Sequence, residues 1–165
     1  MQHGIERSLA PACERGSFRI VHYSIQNDHG HFIVEANGRD ALGRGMKSLA
    51  ARFARAVNRA LQRRGPVLAD RYHLPVLRSP RQVRNALAYV LLNARRHLAK
   101  RRGRSAVRGD TLDPASSGRC FDGWVGRRTV PPGDPPSVAP PHTWILRVGW
   151  RRHGLISPAE VPGRA

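Results

Sequence analysis

The chain has 165 residues, which is enough to bury one core of ordinary size. Its 29 Lys and Arg against 11 Asp and Glu give a net charge of +18, and such a charge favours a polyanionic partner such as nucleic acid. Cys13 and Cys120 lie far apart and in no metal-type spacing, which argues against a disulfide-rich scaffold or a zinc ribbon. No apolar run reaches the roughly 20 residues of a membrane span, and the N-terminal residues lack the apolar stretch of a signal peptide, so we expect a cytoplasmic protein.

A β-hairpin is predicted after Gly16. Residues 18–25 (FRIVHYSI) are β-branched and aromatic, residues 26–30 (QNDHG) supply turn residues, and residues 32–34 (FIV) begin the return strand. His29 and His31 lie at or near this second strand. Residues two apart on a strand point to the same face, so two imidazoles there can converge on one divalent metal ion. On spacing alone, structural or surface histidines remain the simpler interpretation.

A long amphipathic helix is predicted over residues 41–64, with Asp40 as its cap. Its apolar stripe comprises Leu42, Met46, Leu49, Phe53, Val57 and Leu61. The charged residues of its other face are all positive, namely Arg44, Lys47, Arg52, Arg55, Arg59 and Arg63. Like charges in a row repel one another unless an anion lies alongside, so we expect this face to contact DNA or RNA. An ordinary solvated face is the alternative.

Residues 67–79 (VLADRYHLPVLRS) predict an extended segment with a strand around Pro75. Ser79 and Pro80 then predict the cap and first residue of a second helix, over residues 80–100. Its predicted buried residues are Val83, Leu87, Val90, Leu91, Ala94 and Leu98.

Tyr89 and Asn93 lie off that stripe, four residues apart, with Arg96 a turn beyond. A tyrosine hydroxyl can attack a phosphodiester if a metal ion polarises the scissile phosphate. The amide oxygen of Asn93 can be a third metal ligand beside two histidines. A tyrosine at the edge of a helix interface and a surface asparagine are the alternatives, and spacing alone leaves them ahead.

The composition changes after residue 100. A basic, glycine-punctuated segment and a proline-rich segment predict a linker over residues 101–141, between a domain over 1–100 and a C-terminal extension over 142–165. Trp124, Trp144 and Trp150 either stack on unpaired bases or pack the extension onto the domain.

Three segments resemble the single-tyrosine HUH transposases, specifically the REP-associated tyrosine transposase branch found in bacteria. They are residues 18–36 (FRIVHYSIQNDHGHFIVEA), 46–73 (MKSLAARFARAVNRALQRRGPVLADRYH) and 78–97 (RSPRQVRNALAYVLLNARRH). Residues 121–124 (FDGW) and 144–163 (WILRVGWRRHGLISPAEVPG) also resemble C-terminal segments of this branch.

The resemblance implies an α+β fold with a ferredoxin-like antiparallel sheet and helices on one face. It implies a DNA transposase that cleaves and rejoins single-stranded DNA beside hairpins, through a 5′-phosphotyrosine intermediate, with Mg²⁺ or Mn²⁺. By motif, His29 and His31 match the metal-binding histidines, Tyr89 the nucleophile and Asn93 the third ligand. His73 matches a position that is often histidine, and it is a candidate neighbour of the active site. Single-stranded DNA with hairpins is the implied partner, and a monomer and a dimer both stay open.

The chain departs from the family at two points. Gly30 stands between the histidines, where the family has a bulky apolar residue, which weakens a central strand. No segment before residue 15 resembles the family's first strand, whose loss leaves neighbouring backbone groups unpaired. A misplaced start codon, a strand from another chain and a decaying copy are the explanations we consider. The alternative function is accordingly a truncated remnant that binds DNA hairpins without cutting them, and a third is an RNA-binding basic protein.

Overall fold

The computed structural model describes residues 14–26, 28–69, 72–103, 107, 109–126 and 138–163, with the backbone alone at residues 14 and 15. These residues form an α+β structure, as predicted. None of the helices within them is long and apolar enough to cross a membrane.

The sheet has the strand order β1-β2-β3, with β1 at Glu14–Arg15, β2 at Phe18–Ile25 and β3 at Gly30–Ala36. Strand β1 is antiparallel to β2 and places residue 14 opposite Arg19. Strands β2 and β3 are joined by four residues, and the backbone N–H of Gln26 donates to the His29 carbonyl at 2.8 Å. So short a connection can join only antiparallel strands. The predicted hairpin is confirmed.

Backbone groups of β2 beyond the short β1 are hydrogen-bonded to segments that are not long strands. The Ala139 N–H donates to the Ile20 carbonyl at 2.8 Å, and the Ile25 N–H donates to the Ala115 carbonyl at 2.9 Å. Between them, the Tyr23 N–H donates to Ser117 Oγ at 2.9 Å. Strand β2 is therefore paired at these points without a further full strand.

Helix α1 spans Arg39–Ala60, four residues shorter at its C-terminal end than predicted. Gly38 precedes it without a side-chain cap, so the prediction that Asp40 caps the helix is wrong; this residue lies in the first turn. Carboxylates are favourable there because the helix N-terminus carries partial positive charge. The buried residues are Ala41, Leu49 and Ala56, whereas Leu42, Met46, Phe53 and Val57 are only half-buried and Leu61 is exposed. Small side chains allow the helix backbone to approach its neighbours closely, so the two alanines are buried together with Leu49.

The predicted second helix is two helices, α2 at Pro80–Leu91 and α3 at Asn93–Arg102, interrupted at Leu92. Its predicted start is confirmed: Ser79 Oγ accepts from the Gln82 N–H at 3.2 Å, and Gln82 Oε1 accepts from the Ser79 N–H at 3.1 Å. Such a reciprocal pair satisfies two N–H groups that have no partner within the helix. Val83, Leu87, Val90 and Leu91 are buried, as predicted, but Ala94 and Leu98, beyond the interruption, are half-buried.

The predicted strand around Pro75 is wrong. Residues 67–69 and 72–78 are neither helical nor part of a sheet. Pro75 has no N–H to donate to a neighbouring strand, so an extended chain here gains little from sheet pairing.

Among the described residues after α3 are three short helices: η1 at Ser117–Cys120, α4 at Trp144–Arg147 and η2 at Gly149–His153. Trp150 and Trp124 are 1% and 5% exposed, and both rings pack on Phe121, with centroids 5.4 and 5.1 Å away. A Cβ at Gly123 would collide with the Trp150 and Phe121 rings, so this glycine is needed for close packing. These two tryptophans are core residues, so of the two alternatives left open for them, packing is the one observed.

The chain divides into two compact units, residues 1–21, 34–76 and 135–140 forming one and residues 22–33, 77–134 and 141–165 the other. The first contains β1 and α1, and the second contains α2, α3 and the aromatic cluster of Phe121, Trp124 and Trp150. In the second unit α2 packs against η2, and Arg84 forms a bidentate ion pair with Glu160 at 2.6 and 2.7 Å. The functional division at residues 100 and 141 remains a prediction.

Two glycines of α1 provide a matched test of this packing. A Cβ at Gly45 would collide with the Phe18 ring, whereas a Cβ at Gly43 would meet no atom within 4 Å. We expect Gly45→Ala to lower the free energy of unfolding by about 1–3 kcal/mol through overpacking. Gly43→Ala should raise it by about 0.5–1 kcal/mol, because alanine costs less backbone entropy in a helix. Urea unfolding monitored by circular dichroism measures both; equal effects of the two substitutions would contradict the packing of Phe18 on α1.

Candidate functional site

Three imidazoles and one phenol form a cluster in the second unit. The His29 and His31 ring centroids are 4.8 Å apart, and the His97 ring lies 5.4 Å from His29. The Tyr89 ring stands 5.0 Å from His31 at an interplanar angle of 77°. His29 lies immediately before β3 and His31 is its second residue, whereas Tyr89 comes from α2 and His97 from α3. The contacts therefore join His31 to Tyr89 and His29 to His97, residues 58 and 68 positions apart in the chain.

Burial governs the charge state of the cluster. It lowers the pKa of His31 to about 4, with smaller contributions from the neighbouring His29, His97 and Arg96. Burial, followed by His29 and the nearby arginines, also lowers the pKa of His97. Asp28 accepts a hydrogen bond from His29 Nδ1 at 2.6 Å, which lowers the pKa of its carboxyl. At neutral pH His31 is an uncharged imidazole, the form that binds metal ions and accepts protons.

Tyr89 is half-buried, and the guanidinium of Arg96 lies 5.1 Å from its ring centroid. Arg96 immediately precedes His97 on α3, so the cation over Tyr89 and the imidazole beside His29 come from the same helix. A guanidinium beside a phenol can bind the phosphate that the phenol attacks, because its planar donors match phosphate oxygens.

Several polar atoms of the cluster and of the predicted ligand Asn93 are buried without a hydrogen-bond partner. They are Nε2 of His31, Nε2 of His97, and both Oδ1 and Nδ2 of Asn93, a residue that is fully buried at the start of α3. An unpartnered buried polar group costs about 1–3 kcal/mol, so its retention calls for an explanation. Nitrogen and amide-oxygen donors of this kind are suitable ligands for a divalent cation.

The donor types fit a metal ion, but the side chains do not form a closed coordination site. Within the described ranges no group of three or more His, Cys, Asp and Glu side chains is arranged to hold a metal ion. Asn93 does not count among those residue types. The fit therefore rests on the unpartnered ring nitrogens of His31 and His97 and on Oδ1 of Asn93.

The Phe32 side chain compensates in part for Gly30. A Cβ at Gly30 would lie 3.0 Å from the edge of the Phe32 ring, so this ring covers the position where the family has its bulky residue. The strand continues through this point without interruption.

The predicted nucleic-acid-binding cations lie in different settings. Arg44, Lys47, Arg55 and Arg59 are exposed on α1, and Arg52 is half-buried there. Arg63 lies beyond the end of the helix and donates to the Pro66 carbonyl at 2.8 Å, so it is not part of the helical stripe. Arg96 belongs to the imidazole cluster. His73 is exposed in the irregular segment 72–78 of the first unit, and its role remains a prediction.

Sequence reasoning missed His97. It follows Asn93 by four residues and Tyr89 by eight, so the helical spacing that singled out Asn93 also indicates His97. The spacing could not show that its ring would lie beside His29 rather than in solvent.

Comparison of the chain with protein-family models, with curated proteins and with solved structures finds no match. The resemblance to HUH transposases therefore remains a hypothesis, and the functional argument depends on the cluster itself.

The electrostatics of the cluster predict a pH response in the metal-free protein. We expect the His31 imidazole to stay neutral as pH falls from 7 to 5 and to bind a proton only near pH 4, far below an ordinary histidine. Arg96→Gln should raise the pKa of His31 slightly, since it removes one positive neighbour while burial remains. Ring carbon and nitrogen chemical shifts followed by NMR give both values. Ordinary titration of His31 near pH 6.5 would contradict its burial.

Proposed function

We propose that the protein is a metal-dependent tyrosine nuclease and transposase of the HUH type, acting on single-stranded DNA beside hairpins. The proposal rests on one observation, which is that the ring centroids of Tyr89 and His31 are 5.0 Å apart and those of His31 and His29 are 4.8 Å apart. Three of the residues that the motif resemblance selected, His29, His31 and Tyr89, belong to this cluster. The fourth, Asn93, is fully buried at the start of α3.

In the proposed reaction, Tyr89 Oη attacks the phosphorus of a DNA phosphodiester. The new bond joins the tyrosine oxygen to phosphorus, which stays attached to the 5′ oxygen of the downstream fragment. The bond from phosphorus to the 3′ oxygen of the upstream fragment is broken. The phenol loses its proton to water, and the departing 3′ oxygen takes one up, so protons balance. Attack by a 3′ hydroxyl on the phosphotyrosine reverses the step and joins the strands, which is transposition chemistry.

His29, His31 and Asn93 are the proposed ligands of Mg²⁺ or Mn²⁺, and His97 offers a further nitrogen. A bound divalent cation would polarise the scissile phosphate and neutralise negative charge on its oxygens. Arg96, beside the tyrosine ring, binds and orients the same phosphate. The exposed cations of α1, Arg44, Lys47, Arg55 and Arg59, neutralise other phosphates of the strand, together with Arg52 and Arg63. A ferredoxin-like arrangement and a cytoplasmic location, where DNA is accessible, accord with this function.

A remnant that binds DNA hairpins without cutting them is the second candidate. It is favoured by the absence, among the residues that the structure describes, of a closed set of three metal-binding His, Cys, Asp or Glu side chains. Binding then depends on the cations alone.

Covalent capture separates the two candidates. With Mn²⁺ and a labelled hairpin oligonucleotide, the wild-type protein should yield a labelled protein band on a denaturing gel. Tyr89→Phe should abolish the band and leave hairpin affinity within about twofold, since only the nucleophilic oxygen is removed. Tyr72→Phe, at a tyrosine that is 51% exposed, is the matched control and should retain the band. Binding without capture in the wild-type protein would support the remnant, and loss of both in Tyr89→Phe would contradict the role of Tyr89.

The ligand assignment has a readout without DNA. His31→Ala should lower Mn²⁺ affinity at least tenfold in titration calorimetry, while His153→Ala, at an exposed histidine, should not change it. Asn93→Leu removes two unpartnered buried polar atoms, so it should raise the metal-free unfolding free energy by about 1–3 kcal/mol and weaken Mn²⁺ binding.

The same titration on His97→Ala identifies the third ligand. Of Asn93→Leu and His97→Ala, the substitution that causes the larger loss of Mn²⁺ affinity marks that ligand. Unchanged Mn²⁺ affinity in His31→Ala would overturn the metal site altogether. A rise in stability of Asn93→Leu without loss of metal affinity would remove Asn93 from it.

A further inference from the structure

One tryptophan remains outside the aromatic core. Trp144, the first residue of α4, is 52% exposed, whereas Trp124 and Trp150 are 5% and 1% exposed. About half of the Trp144 surface is therefore open to a partner.

The indole is held in place on the protein surface. A Cβ at Gly149 would lie 2.7 Å from Cζ3 of the Trp144 indole, so the ring packs directly on the backbone where η2 begins. The guanidinium of Arg152 lies 4.9 Å from the ring centroid. A ring fixed in this way loses little conformational entropy when a flat partner stacks on it.

The charge around the indole is positive. Arg147 ends α4, and Arg151 and Arg152 lie in the last turn of η2. Of these, Arg151 is paired with Asp122 at 2.8 Å, whereas Arg147 and Arg152 are exposed, with Arg152 over the ring. A flat apolar surface flanked by guanidinium groups suits a ligand that combines a flat ring with a negative charge.

We propose that Trp144, with Arg147 and Arg152, is a stacking site for an unpaired nucleotide of a DNA strand. The base stacks on the indole, and the guanidinium groups pair with the adjacent phosphates. Only an unpaired strand presents the face of a base to a protein side chain in this way. The site is separate from the Tyr89 cluster and needs neither the metal ion nor strand cleavage.

The test compares two probes with the same number of phosphates, a single-stranded oligodeoxynucleotide and an oligomer of the same length whose residues are abasic. Binding is measured on the full chain without divalent metal, in the Tyr89→Phe background, so failure of the proposed cleavage chemistry does not affect the result. Trp144→Ala should weaken binding of the base-containing strand about 5- to 100-fold and leave binding of the abasic strand unchanged. Trp144→Phe should recover most of the affinity.

Arg152→Gln should weaken binding of both probes by a similar factor, since it removes a phosphate contact. Val148→Ala, at an exposed apolar residue of the same region, is the matched control and should bind both probes like the parent protein. Thermal melting of each variant confirms that it is folded. Equal losses for both probes in Trp144→Ala, or none, would overturn the proposal. Tighter binding of the corresponding ribo-oligomer than of the DNA strand would also overturn it. So would a Trp144→Ala protein that differs only in its sedimentation, because Trp144 would then be a contact between protein chains.

Discussion

Strand β2 must find hydrogen-bond partners on both sides, and the rest of the structure depends on how it does so. Strand β3 pairs along one side, whereas the two residues of β1 are too few to pair the other. The Ala115 carbonyl and Ser117 Oγ complete this pairing within the second unit, and the Ala139 N–H does so in the first. An unpaired buried N–H or carbonyl is expensive, so residues that looked like linker in the sequence are structural. Within the second unit, the His31 ring near the hairpin turn lies 5.0 Å from the ring of Tyr89 on α2.

The candidate site contains buried polar atoms that lack hydrogen-bond partners, and they belong to Asn93, His31 and His97. The backbone groups of β2, by contrast, are paired with residues from several other segments. Replacing Asn93 by leucine is expected to favour folding, so stability alone does not account for an asparagine there. The interruption at Leu92 places Asn93 at the start of a new helix, where its side chain is fully buried. Buried polar atoms without partners, beside two histidines whose pKa is lowered, His31 and His97, are typical of a site retained for binding or chemistry.

Sequence patterns predicted the hairpin and the start of α2, because both depend on local rules: strand propensity, turn residues and reciprocal capping. They also selected His29, His31 and Tyr89, whose rings the structure brings close together. The predictions failed where the outcome depends on partners distant in sequence. The segment around Pro75 has strand-forming residues, but residues 72–78 form no strand. Helix α1 buries Ala41 and Ala56 together with Leu49 and leaves most of its predicted apolar stripe half-buried. His97 satisfied the spacing rule, but only the tertiary structure shows its ring next to His29.

Three pairs of an arginine over an aromatic ring show how the setting decides the role of the same interaction. Arg151 lies 5.0 Å from the Trp150 ring, but Trp150 is buried and Arg151 is paired with Asp122, so this pair belongs to the core. Arg96 lies over the half-buried Tyr89, in the cluster that contains the neutral imidazole of His31. Arg152 lies over the exposed Trp144, where ring and cation are both open to a ligand. Cation–π geometry is nearly constant among the three pairs, whereas the burial of the rings differs. Under our two proposals, a strand of DNA meets this chain at two separate aromatic residues, one that carries the chemistry and one that stacks on a base.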